Sequence, residues 1–399
     1  MINKTKEYSN ADLMGLKSST DDVCSAIEKS QKVLIATHEN PDGDAIGSAV
    51  AMAAFLRSIG KEVYLFDKDP VPDNLKFLPG TKEFSDKFPK EPMDLLITVD
   101  CESLSRFGAN LEQLPKIKKT INIDHHLTNA RFGDSNLVMP NASSAGEVLF
   151  YLVLSYGAYE NKIPYSPYFS FLNEKSNEPL PRDLHTRNKI LSKMSDEIAL
   201  PMYTSILSDT GSFNYSTTNK RIFDICSVLN EYNIEPSKVA EELFETKPAD
   251  MYILLGKSLG TLEFAMGGKI SSMTATKDMV DDVLKTKTAN ANDGKVESLY
   301  ENFVNYPRSI KGVEIAVFFK EISPDKYKLS LRSKDYANVA EIAKKFGGGG
   351  HKFAAGCYAS GDLSEIKKEV YSYCEEAILK NELSHTGVNK MNKDKCLTL

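Results

Sequence analysis

What the chain has little of removes several classes of protein. Cysteine is sparse and scattered: the six residues at 24, 101, 226, 357, 374 and 396 form no CxxC pair, so neither a zinc cluster nor a disulfide framework is expected. No apolar run reaches the length of a membrane span, and Met1-Ile2-Asn3-Lys4 does not open a signal-peptide pattern. The expectation is a cytoplasmic protein with no membrane partner. Positive charge is also short. With 49 Lys+Arg against 55 Asp+Glu, the formal net charge is −6. That balance argues against a grip on long nucleic acid, which needs many Lys and Arg contacts to phosphates. A small phosphorylated substrate held by a local cluster stays open. There is no internal repeat. What remains is 399 residues of ordinary hydrophobic and charged content, enough for two domains that each bury a core.

The stretch that organises the rest is Thr37-His38-Glu39-Asn40-Pro41-Asp42-Gly43-Asp44-Ala45-Ile46-Gly47-Ser48. Upstream, Lys32-Val33-Leu34-Ile35-Ala36 is short, apolar and β-branched, and reads as a buried strand. Downstream, small and apolar residues recur at helical spacing from Ala45 to Ile59, and Gly60 supplies the stop. One His and two Asp therefore sit on a tight loop between strand and helix, where α/β proteins place their sites. Nitrogen and oxygen donors mixed this way suit Mn²⁺ or a similar divalent ion better than a thiolate-seeking one.

Further strands are expected at Glu62–Phe66, at Asp94–Val99 ending on Asp100, and at Thr120–Ile123 ending on Asp124-His125-His126. Apolar strands that stop at His or Asp are how a parallel sheet gathers polar groups along its carboxyl edge. A helix from Ser195, expected to break or restart near Pro201, delivers Asp209. His38, Asp42, Asp44, Asp100, His125 and Asp209 then converge. Four carboxylates brought together without cations repel strongly. Two divalent ions about 3.5–4 Å apart resolve that repulsion, activate a water and stabilise a phosphoryl transition state.

His38-x-Asn-Pro-Asp42-x-Asp44, Asp100, Asp124-His125-His126 and Ser208-Asp209-Thr210-Gly211 resemble, in order, the four motifs of the DHH phosphoesterase family. Gly347-Gly348-Gly349-Gly350-His351 is similar to the signature of the DHH-associated domain in its nanoRNase and cyclic-dinucleotide phosphodiesterase branch. The resemblance covers about residues 20–158 and 195–380. It implies that His38, Asp42 and Asp100 hold one Mn²⁺, that Asp44, Asp100, His125 and Asp209 hold a second, and that Asp100 bridges them. It also implies that Asp124 orients an imidazole and that His126 bonds the scissile phosphate. In the second domain, Arg332, Ser330, Gly348, Gly349, Gly350 and His351 would hold a terminal phosphate or base, since glycines let backbone N–H groups approach an anion closely. The alternative reading is that the glycine run is only a flexible turn.

The expected architecture is α/β, with a parallel-sheet catalytic domain over 20–245 that carries an insertion at 159–193. A linker at 246–265 and a smaller α/β domain over 266–382 follow. Residues 1–19 and 383–399 are expected to be flexible tails, and the active site to lie in the cleft between the domains. The implied activity is Mn-dependent hydrolysis of short oligoribonucleotides or of cyclic or linear di-adenylate. The rivals are a phosphatase acting on 3′-phosphoadenosine 5′-phosphate and, from another class, a catalytically silent nucleotide sensor. The six-ligand set disfavours the sensor. Oligomeric state is not written in the sequence, and a homodimer is compatible with it.

Overall fold

The structure is a computed structural model that describes residues 9–108, 111–172, 180–215, 217–285, 299–300 and 302–394. It divides into two compact units, Met1–Thr246 and Lys247–Leu399.

In the first unit, α1 (Asn10–Glu28) leads into β1 (Lys32–Ala36), α2 (Gly43–Ser58), β2 (Glu62–Phe66), β3 (Phe84–Ser85), β4 (Met93–Val99), β5 (Ile117–Asp124) and β6 (Ser135–Val138). Then come α3 (Ala145–Glu160), α4 (Pro167–Phe171), α5 (Leu184–Ile190), α6 (Asp196–Asp209), α7 (Lys220–Leu229) and α8 (Pro236–Phe244). The strands form one parallel sheet in the order β3-β2-β1-β4-β5-β6. Its central strands are apolar on both faces. Val33 and Ile35 join the large core with α2 and α3, while Leu34 and Ala36 pack with Phe66, Leu96 and Phe107 on the other side. Strand order reverses between β1 and β4. The carboxyl ends of those two strands part there, which is where doubly wound sheets bind their ligands.

Two glycines one helical turn apart set how closely α2 and α6 approach. A Cβ on Gly43 would lie 2.4 Å from Ser208 Oγ, and one on Gly47 would lie 2.6 Å from the carbonyl oxygen of Pro201. The helices thus run antiparallel with backbones nearly touching, and the end of α6 is brought to the start of α2. The expected break at Pro201 is absent: α6 is one helix with the proline inside it. Only one N–H is lost there, and the packing against α2 holds the helix through that gap.

Two other expectations for this unit need correction. Residues 1–19 are not all a tail, because α1 begins at Asn10 behind a reciprocal capping box of Ser9 and Asp12. Its buried Leu13, Val23, Cys24 and Ile27 are spread thinly among polar residues, which hides the helical stripe. Residues 1–8 lie outside the described part. The 159–193 insertion is partly core: Tyr168 of α4 is fully buried, and its hydroxyl is hydrogen-bonded with that of Thr20 in α1. Its ring centroid lies 5.4 Å from that of Tyr151, and Phe171 packs edge-on against Phe150. Residues 173–179 are outside the described part. Sequence reading also passed over β6, a strand of four residues.

The second unit runs α9 (Ala249–Leu259), β7 (Glu263–Ala265), β8 (Ile270–Ala275), α10 (Lys277–Lys285), α11 (Asn305–Ser309), β9 (Ile315–Ser323), β10 (Lys326–Ser333), α12 (Val339–Lys345), β11 (Gly349–His351), β12 (Ala354–Ser360) and α13 (Leu363–Asp394). The sheet order is β11-β12-β10-β9-β8-β7, with β8 and β9 parallel and the other pairs antiparallel. Alternation along β9 splits two cores. Ile315, Val317 and Phe319 join residues of α12 and α13, whereas Ala316 and Phe318 join residues of α9 and α10.

The 246–265 linker is therefore largely helix, since Met251, Leu254 and Leu255 of α9 are buried with Met273 and Phe318. The 383–399 tail is helical as far as Asp394, as the backbone of α13 continues that far, and residues 395–399 lie outside the described part. The glycine run is not a loop throughout, because Gly349–His351 form an edge strand on β12. Among the described residues, no helix is long and apolar enough to cross a membrane.

Candidate metal centre

Five segments of the first unit deliver polar side chains to the switch point. The exit of β1 brings His38, and the first turn of α2 brings Asp42 and Asp44. The ends of β4 and β5 bring Asp100 and Asp124-His125-His126, and the end of α6 brings Asp209. Asp42 caps α2: its Oδ1 accepts from the N–H groups of Asp44 (3.0 Å) and Ala45 (3.1 Å). Asp100 holds a left-handed backbone (φ 53°) while its N–H bonds the Ile123 carbonyl at 3.0 Å. A non-glycine residue in that region costs about 1–3 kcal/mol and persists where the surroundings hold it.

Asp100 is the hub. His38 Nε2 lies 3.4 Å from its Oδ2, while His125 Nε2 and His126 Nδ1 each lie 3.5 Å from its Oδ1. His125 Nε2 is also 3.4 Å from Asp44 Oδ2 and 3.5 Å from Asp209 Oδ2. Donor atoms fall within 4.8 Å of one another in three groups: His38, Asp42 and Asp100; Asp44, His125 and Asp209; and Asp100, Asp124, His125 and His126. All of the polar groups read from the sequence for this centre are brought together.

Two imidazoles are aimed by their far nitrogens. His38 Nδ1 faces the Glu39 carbonyl at 2.9 Å and His125 Nδ1 faces that of Ala142 at 3.4 Å, which turns both Nε2 atoms toward the carboxylates. Asp124 is fully buried and saturated. Its Oδ1 accepts from the N–H groups of His125 (2.7 Å) and His126 (3.2 Å) and faces His126 Nδ1 at 2.8 Å, and its Oδ2 accepts from Asn129.

The electrostatics call for a cation. Asp100 Oδ1 is buried and, among the described residues, has no hydrogen-bond partner, although the imidazoles of His125 and His126 face it at 3.5 Å. Burial opposes charge on Asp100, but the facing imidazoles of His125 and His38 hold its carboxyl well below the usual range. Burial pushes Asp44 upward, and so does the charge of Asp100. Burial and then Asp100 likewise raise Asp209 to about 6. Burial alone would lower His38, yet its bond to Asp100 and the nearby charges of Asp100 and Asp42 lift it to about 9. His125 goes the same way against the same burial, lifted by Asp100, Asp44 and Asp209. In the absence of a metal, protons on the histidines offset part of the carboxylate charge.

The donor set, imidazole nitrogen with carboxylate oxygen, fits a divalent ion of the Mn²⁺ type. No thiolate competes: burial pushes the nearby Cys101 thiol up to about 12.

Several contributors were not legible in advance. Asp44 is held by the N–H groups of Ala145 (2.8 Å) and Gly146 (3.3 Å) at the start of α3, by Ser48 Oγ (3.1 Å) and by Ser205 Oγ. Ser48 follows Asp44 by four residues and Ser205 precedes Asp209 by four, so helical spacing could have pointed to both. Backbone donors leave no such signal. In the second unit, strand register places Arg332, Ala354 and His351 in one row, and Ser330, Gly356 and Gly349 in another. The absence of a Cβ is required at Gly348, where one would lie 2.2 Å from the Gly356 carbonyl.

The chain matches two family models, the DHH family N-terminal domain over residues 32–172 and the DHHA1 domain over 273–376. It is 30% identical over 349 residues to a Thermus thermophilus protein named bifunctional oligoribonuclease and PAP phosphatase NrnA, covering 87% of this chain and 90% of that protein. A Bacillus subtilis protein of the same name is 24% identical, with 86% and 95% covered. Among solved structures, an exopolyphosphatase-related protein from Bacteroides fragilis superposes with a TM-score of 0.70 at 25% identity, covering 90% of this chain and 96% of that one.

Proposed function

The chain belongs to the DHH family, and on that footing we propose that it is a two-metal hydrolase of very short nucleotides. The observation that carries the reading is the orphaned Oδ1 of Asp100 at the meeting point of two groups of ligands. His38, Asp42 and Asp100 would hold one Mn²⁺, and Asp44, Asp100, His125 and Asp209 would hold the other, with Asp100 contributing to both. When bound, the two ions supply Lewis-acid activation of water and neutralise charge developing on the phosphoryl group. The chain's own residues do the rest. Asp124 fixes the ring of His126 through Nδ1, leaving the opposite nitrogen to donate to the scissile phosphate. In the second unit, Arg332, Ser330, the 348–350 glycines and His351 would bind a phosphate or base of the substrate, with Arg332 supplying a charge-assisted contact.

The names of the relatives and their near-complete coverage support oligoribonucleotides as the substrate class, and within it the reading takes di- to penta-ribonucleotides. Cyclic and linear di-adenylate belong to the same chemistry. The double name of the relatives also favours a second reading, in which the same site removes a phosphate from 3′-phosphoadenosine 5′-phosphate. A panel of cyclic-di-AMP, linear di-adenylate, a ribo-pentamer and 3′-phosphoadenosine 5′-phosphate, assayed with Mn²⁺, tests both. The expected outcome is mononucleotide release, abolished by EDTA and restored by Mn²⁺. Turnover that survives exhaustive chelation would overturn the metal reading.

A further inference from the structure

Glu147 is a fully buried carboxylate that none of the chemistry above uses. It stands in the first turn of α3, three residues after the cap Ser144, whose Oγ accepts from its N–H at 3.1 Å. A Glu in this place ordinarily reaches back to the cap residue's own N–H. This one reaches a residue further, accepting from the Ser143 N–H at 2.6 Å. Its other oxygen accepts from Tyr151 OH at 2.9 Å and from Arg221 Nε at 2.6 Å. Arg221, in the first turn of α7 and 12% exposed, donates from Nη2 to the Asn141 carbonyl at 2.8 Å. A carboxylate and a guanidinium therefore grip both ends of the tripeptide Asn141-Ala142-Ser143.

What lies between and beyond those grips is the metal centre's own scaffold. The Ala142 carbonyl faces His125 Nδ1, and the Ala145 and Gly146 N–H groups hold Asp44. Gly146 lies close against Ser205, since a Cβ there would lie 2.1 Å from its Oγ. One short turn thus orients two ligands of the same ion, and neither His38 nor Asp42 draws on it. A buried ion pair is weak evidence for a role in stability, because desolvation offsets its attraction. Fixing the partner of an imidazole's far nitrogen, in contrast, sets where the near nitrogen points.

We infer that Glu147 and Arg221 are positioning residues for the half of the metal centre built from His125, Asp44 and Asp209, and that they set its affinity without touching the ion. The inference rests on the two-metal reading, and its test separates the two. Mn²⁺ is titrated by calorimetry into chelator-stripped wild type, Arg221→Ala and Arg221→Lys, with a thermal melt of each. Wild type shows two binding events. In Arg221→Ala one event weakens about 10–100-fold, the range for loss of an outer partner of a metal ligand, while the other stays near wild type. Arg221→Lys falls between, since an ammonium keeps the charge but lacks the fork that serves Glu147 and Asn141 together. If Arg221→Ala does not fold, Glu147→Gln replaces it, with the same one-sided weakening expected. A folded variant with both affinities unchanged, or with both lowered equally, overturns the positioning role and leaves the two-metal reading standing. A wild type that takes up no Mn²⁺ overturns both.

Discussion

Asp100 is held in a strained backbone at the end of the central strand, with one oxygen unsatisfied and imidazoles of three histidines around it. Losing its charge removes the neutralising group common to both ligand sets. Asp100→Asn is expected to bind neither ion tightly and to lose at least about a thousandfold in rate, as when a main electrostatic element is removed. Metal content after desalting, read beside kcat, checks this, and a variant with two bound ions and near-normal rate would contradict it. At this scale the clustering of these His and Asp side chains was legible because each stands at an end of an element and none has an apolar role to play there. Ala142, Ala145 and Gly146 were not legible, because they act through backbone atoms that carry no residue-type signal. The Glu147–Arg221 pair spans 74 residues, and nothing local to either residue announces the other.

Among elements, the legible ones were the apolar runs of β1, β2, β4 and β5, since a strand covered on both faces needs little but hydrophobicity. Short or diluted elements escaped. β6 is only four residues, α1 spreads its buried side chains thinly, and the glycine run becomes a strand only because β12 lies beside it. Pro201 misled because propensity gives way to packing, and α2 presses α6 along its whole contact. That contact can be tested. A methyl at Gly47 would meet the Pro201 carbonyl at 2.6 Å, so α6 must shift or strain. Gly47→Ala is expected to destabilise the fold by about 1–3 kcal/mol, the range for overpacked cores. It should also weaken Mn²⁺ binding, because Asp209 rides on the displaced helix. Denaturant unfolding and metal titration read the two effects separately.

For the whole molecule, acidity and metal content are one question. Without metal, His38 binds its proton up to about 9 in the folded chain, against 6.5 for an unperturbed histidine. Stability from that proton is fully present below about pH 6.5 and is lost as pH rises through 9. Asp209, raised to about 6 from 3.8, acts in the same direction at lower pH, because folding disfavours its charged form. The chelated protein should therefore melt at progressively lower temperature between pH 6.5 and 9, whereas the Mn²⁺-loaded protein should hold its melting point over that window. Melting curves with EDTA and with Mn²⁺ across the range decide it, and parallel profiles would contradict the linkage.

The same arrangement fixes an order of events. Five carboxylates at the centre (Asp42, Asp44, Asp100, Asp124, Asp209) face three imidazoles (His38, His125, His126) whose affinity for protons is raised. Protons on the imidazoles offset only part of that charge before any ion arrives. On the two-metal reading, that partial compensation lets the chain reach its native shape before metal arrives, and loading is expected to follow folding rather than to be a condition for it. On that reading, a shortage of the divalent ion would leave a folded but silent protein, ready to be switched on by supply alone.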